Sequence, residues 1–289
     1  MADELEWRSL SDADREREYS PSSRLDGDLA PFLAQYAEES EASRRWCHDA
    51  GISLQTLSYG SLASQTIDVV TPFYPDPAPL IVFIHGGYWQ ELSKNEAFGP
   101  AADFLARGVA YAAVDYTLAP EATLDEIVAE CRSAVVLLHS KAALLAIDPQ
   151  RIFVAGSSAG GHLAAMVALD PLISFTLAGQ ILLSGVFELE PLIGTSINDA
   201  LDLDVDAAHR NSPAHLPANA APPTLIAFGD NETEQFKRQS LRFGDQLTAA
   251  GVETALIEVP DRNHFDVVGD LGRDASALGH AVMQLIEAN

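Results

Sequence analysis

The stretch RIFVAGSSAGGHLAAMVAL, residues 151–169, decides the fold. It reads as a short apolar strand, then Gly156-Ser157-Ser158-Ala159-Gly160, then an alanine-rich helix. A G-x-S-x-G sequence between a strand and a helix is a nucleophile elbow. The turn is so tight that a Cβ two residues before or after the serine would collide with backbone. Ser158 sits at the apex, with a helix N-terminus behind it that favours developing negative charge. Ser157 is adjacent but off the apex. His162 lies four residues on, along the same helix, and the helical period turns it into the scaffold beneath the elbow, so it reads as structural.

Working outward, apolar runs alternate with helical segments on both sides of the elbow. The runs are LIVFIH (80–85), GVAYAAVDY (108–116), LAGQILLSG (177–185), PTLIAFGD (223–230) and TALIEVP (254–260). Helical spacing is plain from Thr123 to Ser140 and in FKRQSLRFGDQLTAAG, closed by Gly251. Alternation of this kind predicts an α/β fold with a mostly parallel central sheet and helices on both faces. Before it, ISLQTLSY and SQTIDVVTP read as paired strands turning at Gly60. Residues 1–50 form a charged N-terminal helical segment, in which APFLAQYAEESEASRRWCHDAG is one amphipathic helix ending at Gly51. Residues 186–223, acidic and proline-rich, are too long for a plain link between strands and read as a small cap insertion. The whole chain, 1–289, is expected to be one domain.

A serine hydroxyl needs a base, and the base an orienting carboxylate, in the chain order Ser, acid, His for this kind of elbow. His264, in TALIEVPDRNHFDVV just past the last strand, fits as the base. His209 and His215 come too early, within the cap, and His280 belongs to a late helix. The acid lies in TLIAFGDNETEQFKRQS, where both Asp230 and Glu232 qualify; spacing slightly favours Asp230, and the residues leave the choice open. An oxyanion also needs backbone N–H donors. In IVFIHGGYWQ (81–90) the glycine loop bares its backbone, so Gly86, Gly87 and Tyr88, together with Ala159 after the nucleophile, are the candidate oxyanion hole.

Composition narrows the function classes. A net charge of −25 argues against nucleic acid as a partner. No apolar run is long enough for a membrane span, and the opening MADELEWRSLSDADRERE has no secretory h-region. Only Cys47 and Cys131 are present, so no disulfide framework is implied and a cytoplasmic location is expected. No metal or organic cofactor is expected, because no metal-ligand spacing and no dinucleotide fingerprint occurs.

HGGYW, VDYTLAPE (114–121) and GSSAGGHLAA together resemble the hormone-sensitive-lipase-like branch of the α/β-hydrolase superfamily. Tyr-Trp in place of a third glycine resembles the kynurenine formamidase (arylformamidase) family. So do YSPSSRL (19–25), YGSLASQTIDVVTP (59–72), LSGVFELEPL (183–192), SINDALDL (196–203), EQFKRQS (234–240) and NHFDVV (263–268). The resemblance implies an α/β-hydrolase fold and a serine hydrolase that converts N-formylkynurenine to kynurenine and formate, a reaction of tryptophan catabolism. It favours Glu232 as the acid, four residues before Phe236. It also makes Trp89 and Asn198 candidates to line an aromatic pocket, although Trp89 equally suits packing beneath the cap. The partner expected is a small aromatic substrate, with neither nucleic acid nor membrane; a homodimer is allowed. A general carboxylesterase of the same fold, acting on short-chain aryl esters, would carry the same triad.

Overall fold

The computed structural model describes residues 6–74 and 76–289. The first five residues of the N-terminal segment, and the part of the signal-peptide reading that falls on them, lie outside the described residues. In chain order the helices and strands are α1 (Asp12–Glu18), α2 (Ala30–Asp49), β1 (Gln55–Ser58), β2 (Thr66–Val70), β3 (Ala78–Ile84), α3 (Ala101–Leu105), β4 (Ala110–Val114), α4 (Leu124–Lys141), β5 (Ile147–Ser157) and α5 (Ala159–Ala168). They continue as β6 (Gly179–Leu183), α6 (Asn198–Leu201), α7 (Val205–Arg210), β7 (Thr224–Asn231), α8 (Glu234–Ala249), β8 (Thr254–Asn263) and α9 (Ala277–Ala288).

Among the described residues eight strands form one sheet in the order β1-β2-β4-β3-β5-β6-β7-β8. β1 pairs antiparallel with β2, and β2 antiparallel with β4; every other pairing is parallel. The paired strands read on either side of Gly60 are β1 and β2, with Ser58 opposite Thr66. β3 is buried along its whole length because both faces of the sheet are covered. Its side chains alternate: Leu80, Val82 and Ile84 join the core shared with α4, α5 and α8, while Ile81 and Phe83 join the core shared with α2, α3 and α9.

Local chemistry places the helix ends. Thr123 and Glu126 form a reciprocal capping box at the start of α4. α8 begins two residues earlier than its apolar spacing alone suggests, because the Thr233 hydroxyl accepts from the Phe236 amide and caps it. Its inner face then follows as Phe236, Ser240, Phe243 and Leu247, at helical intervals.

Residues 186–223 run between β6 and β7 as short helical turns, with Phe187, Leu189, Leu192 and Leu201 packed into the core. The N-terminal segment is tied to them and to α8. The Glu16 carboxylate accepts from the Ser196 amide at 2.8 Å and from its hydroxyl at 2.5 Å, and the Thr233 hydroxyl donates to the Glu18 carbonyl at 2.6 Å. Cys47 and Cys131 are both buried and unpaired. Among the described residues no helix is long and apolar enough to cross a membrane.

Candidate active site

Every candidate catalytic group lies at the carboxyl end of a parallel strand. The loop after β3 carries His85 to Trp89, β5 leads to Ser158, β7 to Glu232, and β8 ends next to His264. Sheets of this kind collect reactive groups on that edge, where loops are free to vary while the strands hold their bases fixed.

Ser158 takes φ 57° and ψ −121°, a conformation L-residues avoid, and its amide donates to the Leu183 carbonyl at 2.8 Å. A Cβ on Gly156 would overlap the Gly160 carbonyl, and one on Gly160 would overlap the Ile84 and His85 carbonyls. The elbow is therefore packed backbone to backbone. Gly160→Ala is expected to lower unfolding stability by about 3 kcal/mol or more, because backbone cannot yield as a flexible side chain does. Chemical denaturation measures this, and a variant as stable as the parent would contradict it.

The structure brings Ser158, His264 and Glu232 into one chain of hydrogen bonds. His264 Nδ1 lies 2.9 Å from Glu232 Oε2, and His264 Nε2 lies 2.9 Å from Ser158 Oγ. A carboxylate only accepts, so Nδ1–H donates to Glu232, and Nε2 is left to accept the serine proton. The other carboxylate oxygen, Oε1, accepts from the Gly229 amide at 2.7 Å and the Ser184 hydroxyl at 2.6 Å. Glu232 is thus held on both oxygens and is 3% exposed. Asp230 is exposed and, among the described residues, accepts only from the Arg262 amide, at 3.3 Å. Of the two acids left open by spacing, Glu232 is the one beside the histidine. The His264 ring is flanked edge-on by Phe236 and Phe265 at 4.7 and 5.3 Å. Its loop is fixed by Asn263 and Asp266, whose side chains bond each other and each other's backbone.

In the glycine loop, Gly87 has φ 92°, and Tyr88 and Trp89 follow at 49° and 61°. Two consecutive non-glycine residues in the left-handed region carry strain of about 1–3 kcal/mol each. The loop is held in that state from below. The Tyr116 hydroxyl donates to the His85 carbonyl at 3.0 Å and to the Gly86 carbonyl at 3.3 Å, and the Tyr116 ring stacks on His85 at 4.1 Å. Pinning these carbonyls beneath the loop leaves the amides to the other side. Neither the Gly87 nor the Tyr88 amide is donated to an acceptor among the described residues. Gly86 leaves no room for a side chain against Ser157 and Ser158. Ala159 follows the serine directly, its amide the first of α5, where no intrahelical acceptor exists.

A cavity of about 340 Å³ opens beside these groups, lined by Gly86, Gly87, Tyr88, Ser158 and His264. One side of its wall comes from Ser20, Pro21, Leu29, Leu33 and Tyr36 of the N-terminal segment, with Phe265 and Ile197. Two sequence-based expectations are corrected here. Trp89 does not line the cavity: it is wholly buried, because its positive φ turns the indole back into the core, where Nε1–H donates to His162 Nδ1 at 3.3 Å. Asn198 does not line it either, since its amide group is spent on the Leu203 amide and carbonyl and closes the α6 turn. His162 uses its other nitrogen on the Asn211 carbonyl at 2.6 Å, and burial pushes its pKa down to about 4. With both ring nitrogens engaged it cannot serve Ser158 as a base. His209 and His215 stack on each other within residues 186–223, and His280 is exposed on α9.

Sequence reading missed three contributors: Ser184, which orients Glu232; Tyr116, which pins the glycine loop; and the wall from residues 20–36. The available signal was that LSGVFELEPL, VDYTLAPE and YSPSSRL all carry family likeness.

This sheet and this chain of hydrogen bonds define a serine hydrolase of the α/β-hydrolase fold. A model of the BD-FAE family matches residues 67–174, and that of the prolyl oligopeptidase family matches residues 134–278, half of the chain. Kynurenine formamidase of Danio rerio is 27% identical over 97% of this chain and 98% of its own length; that of Salmo salar is 28% identical over 92% and 93%. A solved structure from silicibacter sp. tm1040, assigned as a thioesterase, superposes with a TM-score of 0.80 at 28% identity, covering 92% of this chain and 97% of that one. The chain belongs to the prolyl oligopeptidase family and, along nearly its whole length, is similar to kynurenine formamidases.

Proposed function

We propose that the protein hydrolyses aryl formamides, with N-formylkynurenine as its substrate. The Glu232–His264–Ser158 relay, opening into a cavity large enough for a single aromatic ring system and its side chain, carries the reading. Ser158 Oγ attacks the formyl carbon as His264 Nε2 takes its proton. The amides of Gly87, Tyr88 and Ala159 receive the oxyanion. His264 then returns the proton to the aryl nitrogen, the C–N bond breaks, and the aryl amine leaves. Water, deprotonated by His264, attacks the formyl-serine ester and releases formate and the free serine.

An aryl amine departs more readily than an alkyl amine, which makes an amide accessible to machinery that also suits esters. A formyl group offers little to hold, so binding energy must come from the leaving side. The aromatic and aliphatic wall from Pro21, Leu29, Leu33, Tyr36 and Phe265 supports that. The proposed partner is this small aromatic molecule rather than nucleic acid or a membrane, with assembly as a homodimer open. The proposed location is the cytoplasm, to which two buried unpaired thiols are suited.

A chain-length series separates this reading from a general carboxylesterase. Tyr88 faces the cavity with its hydroxyl fixed on the Tyr19 carbonyl at 2.5 Å, so the ring has no freedom to retreat from a longer acyl group. Each added methylene then clashes instead of gaining the usual ~0.8 kcal/mol of burial. The expected result is a kcat/KM that falls from acetyl to butyryl to octanoyl p-nitrophenyl esters, with N-formylkynurenine above all of them. A rising slope without kynurenine release establishes the esterase instead.

A further inference from the structure

The cavity's charge has one sign. Glu91 and Glu96 line it, and among the described residues no lysine or arginine does. Cations nearby in the chain are committed elsewhere: Lys94 Nζ lies on Asp68 Oδ1 at 2.7 Å, and Arg24 is turned to Asn231 Oδ1 at 3.4 Å. Glu96 is half-buried; one of its oxygens accepts from the Ser93 hydroxyl at 2.8 Å, and the other meets no donor among the described residues. Glu91 is exposed, at the mouth. The molecule as a whole carries a net charge of −25, which extends the same field outward.

Resting on the formamidase reading above, we infer that the leaving group is recognised through its ammonium, with Glu96 as the principal partner and Glu91 supporting it at the mouth. A primary ammonium entering this cavity loses water and needs an anionic acceptor, which a half-buried carboxylate with a free oxygen supplies. A carboxylate entering the same space meets two like charges and no cation. An amino-acid side chain such as that of N-formylkynurenine therefore sits with its ammonium inward and its carboxylate toward solvent. The substrate class follows: aryl formamides bearing a primary amine on the leaving group, with the carboxylate dispensable.

The test compares two analogues of N-formylkynurenine, one with the carboxylate removed and the ammonium kept, the other with the ammonium removed and the carboxylate kept. The same charge pair is made as aryl acetates, an aminoethyl-phenyl and a carboxyethyl-phenyl ester, and neutral formanilide reports formamide cleavage itself. The ammonium member is expected to exceed the carboxylate member by about tenfold or more in kcat/KM in both series, mainly through KM. Glu96→Gln is expected to shrink that ratio at least about threefold, since it keeps the shape and removes the charge. Glu91→Gln, at an exposed position, provides a second variant whose folding is not at risk. The inference is overturned by a ratio of one or below in either series, or by a ratio that neither substitution moves. Formanilide left uncleaved while the acetate pair keeps its ratio means the formamidase reading fails and the charge preference stands.

Discussion

Ser158→Ala is expected to leave less than about one per cent of turnover, with formamide and ester alike, and the fold intact. Among the described residues the hydroxyl hydrogen-bonds only His264 Nε2, and the backbone anchor from the Ser158 amide to the Leu183 carbonyl does not involve it. Alanine shares serine's Cβ and meets the same φ of 57°, so the elbow loses one hydrogen bond of about 1 kcal/mol and nothing else. Without Oγ there is no atom to form the acyl intermediate, and the glycine-loop amides can only polarise a carbonyl for attack by water. In enzymes built on such a relay, losing the nucleophile lowers kcat by about 10⁴-fold or more. The measurement is steady-state turnover beside thermal unfolding. Activity above that level in a folded variant removes Ser158 from the mechanism.

The second large effect is expected at Glu232, and the hydrogen bonds say why. Oε1 already accepts from both the Gly229 amide and the Ser184 hydroxyl, so in Glu232→Gln the amide oxygen takes that place. The new NH₂ then faces His264 Nδ1, 2.9 Å away, where two donors would meet. The ring relieves this by moving its proton to Nε2, which then points a hydrogen at Ser158 and can no longer accept one. A fall in kcat of about 10³–10⁴-fold is expected, with far less change in KM, as for any relay held in the wrong tautomer. Asp230→Asn, on an exposed side chain that accepts from the Arg262 amide, is expected to stay within a few-fold of the parent, roughly the effect of an ordinary surface substitution. If Asp230→Asn proves the more damaging, the acid is misassigned.

The positions of Ser158 and His264 were legible because the sequence marks where two strands end: Gly156 and Gly160 bracket the serine turn at the first, and the apolar run TALIEVP leads into the second, although β8 continues past Pro260 to Asn263. The acid was harder, because spacing counts residues and not the path of the chain. β7 pairs irregularly with β8 between Gly229 and Asn231, so the loop lifts Asp230 outward and brings the longer glutamate back over the Gly229 amide. Trp89 was left between lining the cavity and packing beneath the cap for a related reason. Beside a glycine loop an indole looks like a cavity wall, but a left-handed backbone sends the side chain opposite to the direction the neighbouring glycines suggest. Asn198 satisfies a local turn, a use that asparagine has wherever helices are short. The wall from residues 20–36 reaches the site only through tertiary packing, which no local periodicity encodes.

That wall has a consequence for how such a chain can change over generations. The reacting atoms sit on the ends of β5, β7 and β8, whereas much of what greets the leaving group comes from a stretch that precedes the first strand of the sheet. The chemistry and a part of the cavity wall thus occupy separate addresses in the gene, while Tyr88, Glu91 and Glu96 stay with the strands. A descendant can keep the strands from Ala78 to Asn263 untouched, exchange only the segment from Ser20 to Tyr36, and reshape one wall of the cavity with its bond-breaking apparatus inherited whole.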